Sequence, residues 1–357
     1  MKKRLAHIPR YILFVPLIIF VILLYGGILQ RFVPAVSVGT TKYTAAQFNY
    51  WYFEGYLDYV DTHYDELETL GLDTSRALDK QSMDENQTWE DYFRVLAEDR
   101  LQETEALLAL ADEYGISLTA EDLPEYSQRL AEADAECAES GSSLDDLVRS
   151  YYGYTMTVAN YKNQLLRETG ADAVLNAVTA SLEPSQTDIE AYTASHPELD
   201  DYNTANIRLI WFSPATDRFT NETGDTQILD MLAKTQLLLE RWNEAGGDED
   251  AFAELARRYS EHESASNGGE IDGVLKGELC EELDDWLSSS ERQSGDFTTN
   301  VTADGIWVVY YRGAGTSAAE IAARQALLDE RVKAFLTEQK QSYSVKERFG
   351  MRIAMGG

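Results

Sequence analysis

Few side chains in this 357-residue chain have types and spacing that could do chemistry. The four histidines, His7, His63, His196 and His262, form no local ligand pair. Cys137 and Cys280 lie far apart and in different expected domains, so neither a metal spacing nor a disulfide framework can be argued. No metal and no cofactor is expected. What remains is a pattern of glycines, aromatics and a few polar groups. Phe252-Ala253-Glu254-Leu255-Ala256-Arg257-Arg258-Tyr259-Ser260 reads as an amphipathic helix. Asn267-Gly268-Gly269-Glu270 reads as a turn whose glycines permit backbone angles that other residues resist. Asp304-Gly305 reads as a hairpin turn, and Ile306 to Tyr311 as the apolar strand leaving it.

The elements that must position these groups extend from about His196 to Gly315. Asn206 to Phe212 is a strand bounded by Ser213-Pro214. Gln227 to Ala245 is a helix closed by Gly246-Gly247, and Asp250 is the expected cap of the next, Ala251 to Tyr259. A loop through Gly277 leads into a short helix ending near Trp286, and Thr298 to Thr302 is the strand before the hairpin turn. The order βα-α-β-α-ββ is an α+β roll.

This order, with Phe-x-Glu-Leu-Ala-x-x-Tyr-Ser, Gly-Gly-Glu-Ile, the Gly277 loop and Gly-Ile-x-Val-Val, resembles the parvulin family of peptidyl-prolyl isomerases over roughly 110 residues. The resemblance implies rotation about an X-Pro bond, whose barrier is about 18–20 kcal/mol. No proton or nucleophile need be transferred. The catalyst holds the proline ring in an apolar pocket and favours the twisted amide. In the family a pocket of Met and Phe side chains lies beside a hydrogen-bonded pair of histidines and a neighbouring Cys or Asp.

The carry-over is partial. Arg208 is taken at the first-strand histidine position and Trp307 at the last-strand one, so the paired-histidine network is absent. His262 falls near the Cys or Asp position. Leu279 takes the pocket Met position, and Leu283 or Trp286 the pocket aromatic. Asp304 takes that of the Ser or Thr before the last-strand glycine. The expected polar site is therefore Arg208, His262, Asp304 and Trp307, and the expected peptide-contacting set is Leu279, Leu283, Trp286 and Tyr259. Three readings stand: a remodelled isomerase site, a peptide groove without catalysis, and a structural scaffold with Trp307 in its core and Arg208 in an ion pair.

Charge narrows the partners. Lys and Arg number 30 against 62 Asp and Glu, a formal net charge of -32. Such a chain repels phosphates, which argues against a nucleic-acid role. Lys2, Lys3, Arg4, Arg10 and Arg31 all precede residue 32, with no acidic residue among them, so the remainder is more acidic still. Between them Tyr11 to Leu29 carries no charge, and nineteen residues at about 1.5 Å each span the ~30 Å of a bilayer core. Residues 1–31 are thus expected to be a cytoplasmic tail and signal anchor. The positive-inside rule places the bulk of the chain outside the cytoplasm. A cleaved signal peptide is the competing reading, with Ala35-Val36-Ser37 a poor cleavage site.

Residues 32–195 read as a helical arm. A hairpin from Ala35 to Thr44 precedes a helix capped by Thr44, with Phe48, Trp51, Tyr52, Tyr56 and Tyr59 at helical spacing. Helices are expected from Thr88 to Tyr114, from Thr119 to about Ser140, from Ser143, from Thr157 to Ala180 and after Pro184. The order is similar to the N-terminal chaperone domain of the SurA and PrsA foldases. Residues 316–357 supply a helix capped by Ser317 and a short strand near Val345 or Met351. By the same resemblance this tail completes the helical domain, so that the parvulin module, residues 196–315, is an insert. The expected function is a membrane-anchored extracytoplasmic folding factor that binds unfolded, newly exported polypeptides, with weak isomerisation. The alternative is an inactive parvulin-fold protein that docks one fixed cell-envelope partner.

Overall fold

The computed structural model describes residues 28–199, 202–215 and 227–354. Apart from Ile28 and Leu29, the expected membrane span lies outside the described residues. No helix among the described residues is long and apolar enough to cross a membrane. In chain order the main elements are strands β1 (Pro34–Val38) and β2 (Thr41–Thr44), then helices α1 (Ala45–Thr62), α2 (Trp89–Leu108), α3 (Pro124–Ser140), α4 (Leu144–Tyr152), α5 (Val158–Ser181) and α6 (Gln186–Ser195). Strand β3 (Asn203–Phe212), helices α7 (Gln227–Glu244) and α8 (Glu249–Tyr259), strand β4 (Glu270–Val274) and helix α9 (Glu281–Leu287) follow. Strands β5 (Phe297–Val301) and β6 (Ile306–Ser317), helix α10 (Ala318–Lys340) and strand β7 (Val345–Glu347) complete the set. The architecture is α+β, mostly helical, with two small antiparallel sheets. The chain divides into two compact units, Met1–Glu183 with Glu330–Gly357, and Pro184–Asp329.

In the first unit Gly39, at φ +55°, turns β1 into β2, and β7 pairs with the other edge of β1. Thr44 caps α1 by accepting from the Gln47 amide, and Gln47 reaches back to the Thr44 amide, a capping box. The apolar stripe of α1 then buries Phe48, Tyr50 and Trp51 against Trp89, Phe93 and Leu101 of α2 and Leu165 of α5. Phe335 and Leu336 of α10 pack beside Leu107 and Val174. Lys340 donates to Asp99, and its carbonyl accepts from Gln102 at 2.8 Å.

Four boundaries differ from the sequence reading. Helix α2 stops at Leu108, and single turns carry the chain to Gly115, at φ +68°. Helix α3 begins at Pro124 rather than near Thr119, because a proline lacking its N–H and fixed in φ suits the first helical position. Asp248, not Asp250, caps α8 by accepting from Ala251 N–H at 2.9 Å. Met351–Ala354 is helical, while Val345–Glu347 is the strand.

In the second unit the sheet order is β4-β3-β6-β5. Residues alternate across it, as a pleated strand requires. Ile210, Phe212, Val308 and Tyr310 face α7 and α8 with Trp242 and Phe252. Ile207, Leu209, Val309 and Tyr311 face α9 with Leu283 and Leu287. One sheet thus has two apolar faces, and the side on which a residue falls decides what it can touch.

Candidate functional site

The glycine turn fixes the loop against the central strand. Gly268 and Gly269 adopt φ +68° and +75°, and a Cβ on Gly269 would stand 2.4 Å from the Leu209 carbonyl oxygen. The close approach lets the Gly269 carbonyl accept from Leu209 N–H at 2.7 Å. Ser260 is fully buried at the end of α8, and its hydroxyl accepts from Trp211 N–H at 3.1 Å. Glu261 N–H donates to the Trp211 carbonyl at 2.7 Å, and the Glu261 carboxylate accepts from Ser213 N–H at 2.8 Å. The segment from Ser260 to Glu270 is therefore held beside the end of β3.

On this frame His262 caps the short turn Glu263–Asn267. Its Nδ1 accepts from Ser264 N–H at 3.2 Å and lies 2.9 Å from the Ser264 hydroxyl. An Nδ1 that accepts a backbone N–H leaves the proton of the neutral ring on Nε2. A shallow hollow of about 490 Å³ joins His262, Ile271, Val274 and Leu279, with Glu263, Glu270 and Glu278 also in its wall. Leu279, Leu283, Trp286 and Trp307 share one apolar cluster on the α9 side of the sheet. Trp286 meets Tyr311 edge-on at 6.3 Å, and the Arg292 guanidinium lies 4.7 Å from the Trp286 ring centre.

Three expected site residues are placed elsewhere. Arg208 shares the parity of Ile210 and Phe212, so it projects on the opposite side of the sheet from Trp307. There its Nε donates to Glu249 Oε1 at 2.9 Å and its Nη1 to the Gly268 carbonyl at 3.1 Å. Arg312 Nε donates to the same Glu249 oxygen at 2.9 Å, and its other nitrogens reach Glu270 at 2.9 Å and Asp272 at 2.7 Å. This network ties β3, β4, β6 and α8 together. Tyr259 is buried in the cluster under α7 and α8, with its hydroxyl accepting from Arg241. Asp304 is exposed at the tip of the β5–β6 turn.

Strand register corrects the sequence alignment. Trp307 stands directly across from Trp211, while Arg208 is across from Tyr310. Trp211 and Trp307 therefore form the cross-strand pair where the resemblance places two histidines. Their ring centroids are 6.0 Å apart with planes at 56°. Gly305 makes room for the pair, since a Cβ there would lie 2.7 Å from both Trp211 Nε1 and the Phe212 carbonyl. Both indole nitrogens are buried, and neither has an acceptor among the described residues. An unsatisfied buried donor costs about 1–3 kcal/mol. Imidazole can both donate and accept, whereas indole only donates, so two indoles cannot hydrogen-bond to each other as two imidazoles do. Trp211 was missed because one slipped position on a strand exchanges its faces. The usable signal was the odd spacing 207, 209, 211, which must face Trp307 if Trp307 faces the pocket.

Among the described residues no group of His, Cys, Asp or Glu could hold a metal ion. Both cysteines carry free thiols, and burial pushes the Cys280 thiol above its ordinary range.

Residues 222–312 match the family model described as "Rotamase: PPIC-type PPIASE domain". A relative from Azotobacter vinelandii, described as "Putative peptidyl-prolyl cis-trans isomerase NifM", is 28% identical over 212 residues, 55% of this chain and 66% of that protein. The chain thus spans just under two thirds of that relative's length. PrsA from Bacillus subtilis aligns at a TM-score of 0.37 and 16% identity, covering 71% of this chain and 86% of that one. The foldase protein PrsA from Streptococcus pneumoniae aligns at 0.33 and 17%, covering 74% and 93%. Over residues 222–312 the chain is similar to the parvulin domain of PPIC type.

Proposed function

We propose that this chain is an extracytoplasmic folding factor, anchored by residues 11–29, whose helical unit holds unfolded polypeptides and whose parvulin domain grips proline-containing segments without efficient isomerisation. The observation that carries the reading is Trp211 across from Trp307. It replaces a polar pair with two donor-only aromatic rings and leaves the apolar wall of Leu279, Leu283 and Trp286 beside them. Holding an apolar ring needs that wall, whereas stabilising a twisted amide needs polar groups that respond to it. The uncharged run before residue 30, with its basic flank, supports the anchor. Tyr64, Tyr151 and Tyr154, exposed on the helical unit, support a surface that adapts to varied chains, since tyrosine offers apolar area and a hydroxyl.

The test is aggregation of a client whose refolding is not limited by proline, measured with and without the full-length chain in detergent. Suppression near one chain per client is expected. No suppression at a tenfold excess would leave a dedicated docking protein for one envelope partner as the better account.

A further inference from the structure

We infer that the indole N–H groups of Trp211 and Trp307 are the peptide-reading donors of the parvulin domain, each taking a backbone carbonyl of an extended polypeptide. One of these carbonyls is that of the residue before the proline. The inference rests on the peptide-gripping reading above and names what the grip recognises.

Two buried donors without acceptors among the described residues stand on a single cross-strand pair. Trp89 Nε1 also has no acceptor among the described residues, but Trp89 is 1% exposed in the helical core, where no ligand reaches it. Trp211 and Trp307 differ, because each ring keeps part of its surface in solvent while its nitrogen is shielded. Donation to a ligand therefore requires a turn of either ring that brings its nitrogen to the open side. Ile271, Leu279 and Leu283 lie in the same apolar cluster, while Asn300, across from Trp307, gives its amide N–H to Cys280 Sγ at 3.5 Å. A donor-only pair selects ligands by their acceptors. Carboxylates are poor candidates beside Glu263 and Glu278 on a chain of net charge -32. A neutral amide carbonyl meets both requirements, and an unfolded chain presents one at every residue.

The probe is a blocked hexapeptide, acetyl-Ala-Ala-Lys-Pro-Phe-Ala-amide carrying a fluorophore. It is made with the ordinary carbonyl before proline and with that oxygen replaced by sulfur, a weaker acceptor. Anisotropy titrations use the full-length wild type, Trp211→Phe and Trp307→Phe, which keep an aromatic ring but lose the donor together with the rest of the five-membered ring. Each substitution is expected to weaken the ordinary peptide about 3- to 10-fold. The sulfur peptide is expected to bind wild type more weakly by a similar factor, and one of the two variants should abolish that difference. Equal affinities across wild type and both variants would overturn the inference while leaving the grip intact. Should the variants fail to fold, wild type alone decides, and indifference to sulfur would overturn it. Failure of wild type to bind either peptide would defeat the grip itself.

Discussion

Glu54 and Glu168 share one guanidinium. Arg129 lies 2.8 Å from Glu168 and 3.5 Å from Glu54, and the hydroxyls of Tyr50 and Tyr152 donate to Glu168 and Glu54 respectively. Arg129 comes from α3, a helix with no fully buried residue, so this contact joins Tyr126 and Leu130 in tethering α3 to the aromatic core. Two carboxylates against one cation leave an excess negative charge at a largely desolvated position. Burial, reinforced by the neighbouring Glu54, pushes the Glu168 carboxyl well above its ordinary range. Burial, and then the nearby Glu125, pushes Asp172 on the same helix as Glu168 up to about 6.

The sign of the pH dependence follows. A raised carboxyl binds its proton more tightly in the folded chain than in the unfolded one. Its stabilising contribution is complete below the unfolded value, 3.8 for Asp172 and 4.5 for Glu168, and is lost as pH rises through the folded value. These two groups should therefore make the urea unfolding free energy larger at pH 5 than at pH 7. Glu168→Gln keeps an acceptor for Tyr50 and removes the charge, so it should flatten that difference. An unchanged pH dependence in the variant would contradict this account of the tether.

The glycine turn offers a graded test. Gly269 combines φ +75° with a Cβ position 2.4 Å from a backbone oxygen, whereas Gly277, at φ +85°, has nothing within 4 Å. Gly277→Ala should cost about 1 kcal/mol from backbone strain alone. Gly269→Ala adds a clash with β3 and should cost at least about 3 kcal/mol. Urea denaturation followed by tryptophan fluorescence reports both, and similar costs at the two sites would contradict the packing described.

Glu249 carries the ion network on the α8 side. One of its oxygens accepts from Arg208 and Arg312 together, so Glu249→Gln leaves two cations facing each other with less compensation. The carboxylate is about a third exposed, which limits the expected loss to about 1 kcal/mol. Peptide affinity should not change, because the network lies on the face away from Trp307. A loss of affinity without loss of stability would return Arg208 to the site.

Much of this was legible in the sequence, for identifiable reasons. The Asn267–Glu270 turn and the Asp304-Gly305 hairpin announce themselves because few residues tolerate their geometry. Thr44 and Gln47 mark a helix start chemically. Capping at Asp248 was harder to read, since Asp248 and Asp250 are both good caps two positions apart. The opposition of Trp211 and Trp307 was not legible, because pairing depends on register between strands about ninety residues apart and local spacing cannot fix it. The network around Glu249 was hidden for the same reason, as its members come from four separate elements.

The central claim is that the domain grips proline segments and does not turn them over efficiently. The direct measurement is the cis–trans exchange rate of the Lys-Pro bond in the blocked hexapeptide, followed by NMR exchange spectroscopy with the full-length chain at a concentration that binds most of the peptide. The account expects line broadening or shift changes from binding, with an exchange rate close to the spontaneous one, which is slow on a scale of tens to hundreds of seconds. Acceleration of a hundredfold or more under the same conditions would contradict it and show that the tryptophan pair sits in a working isomerase.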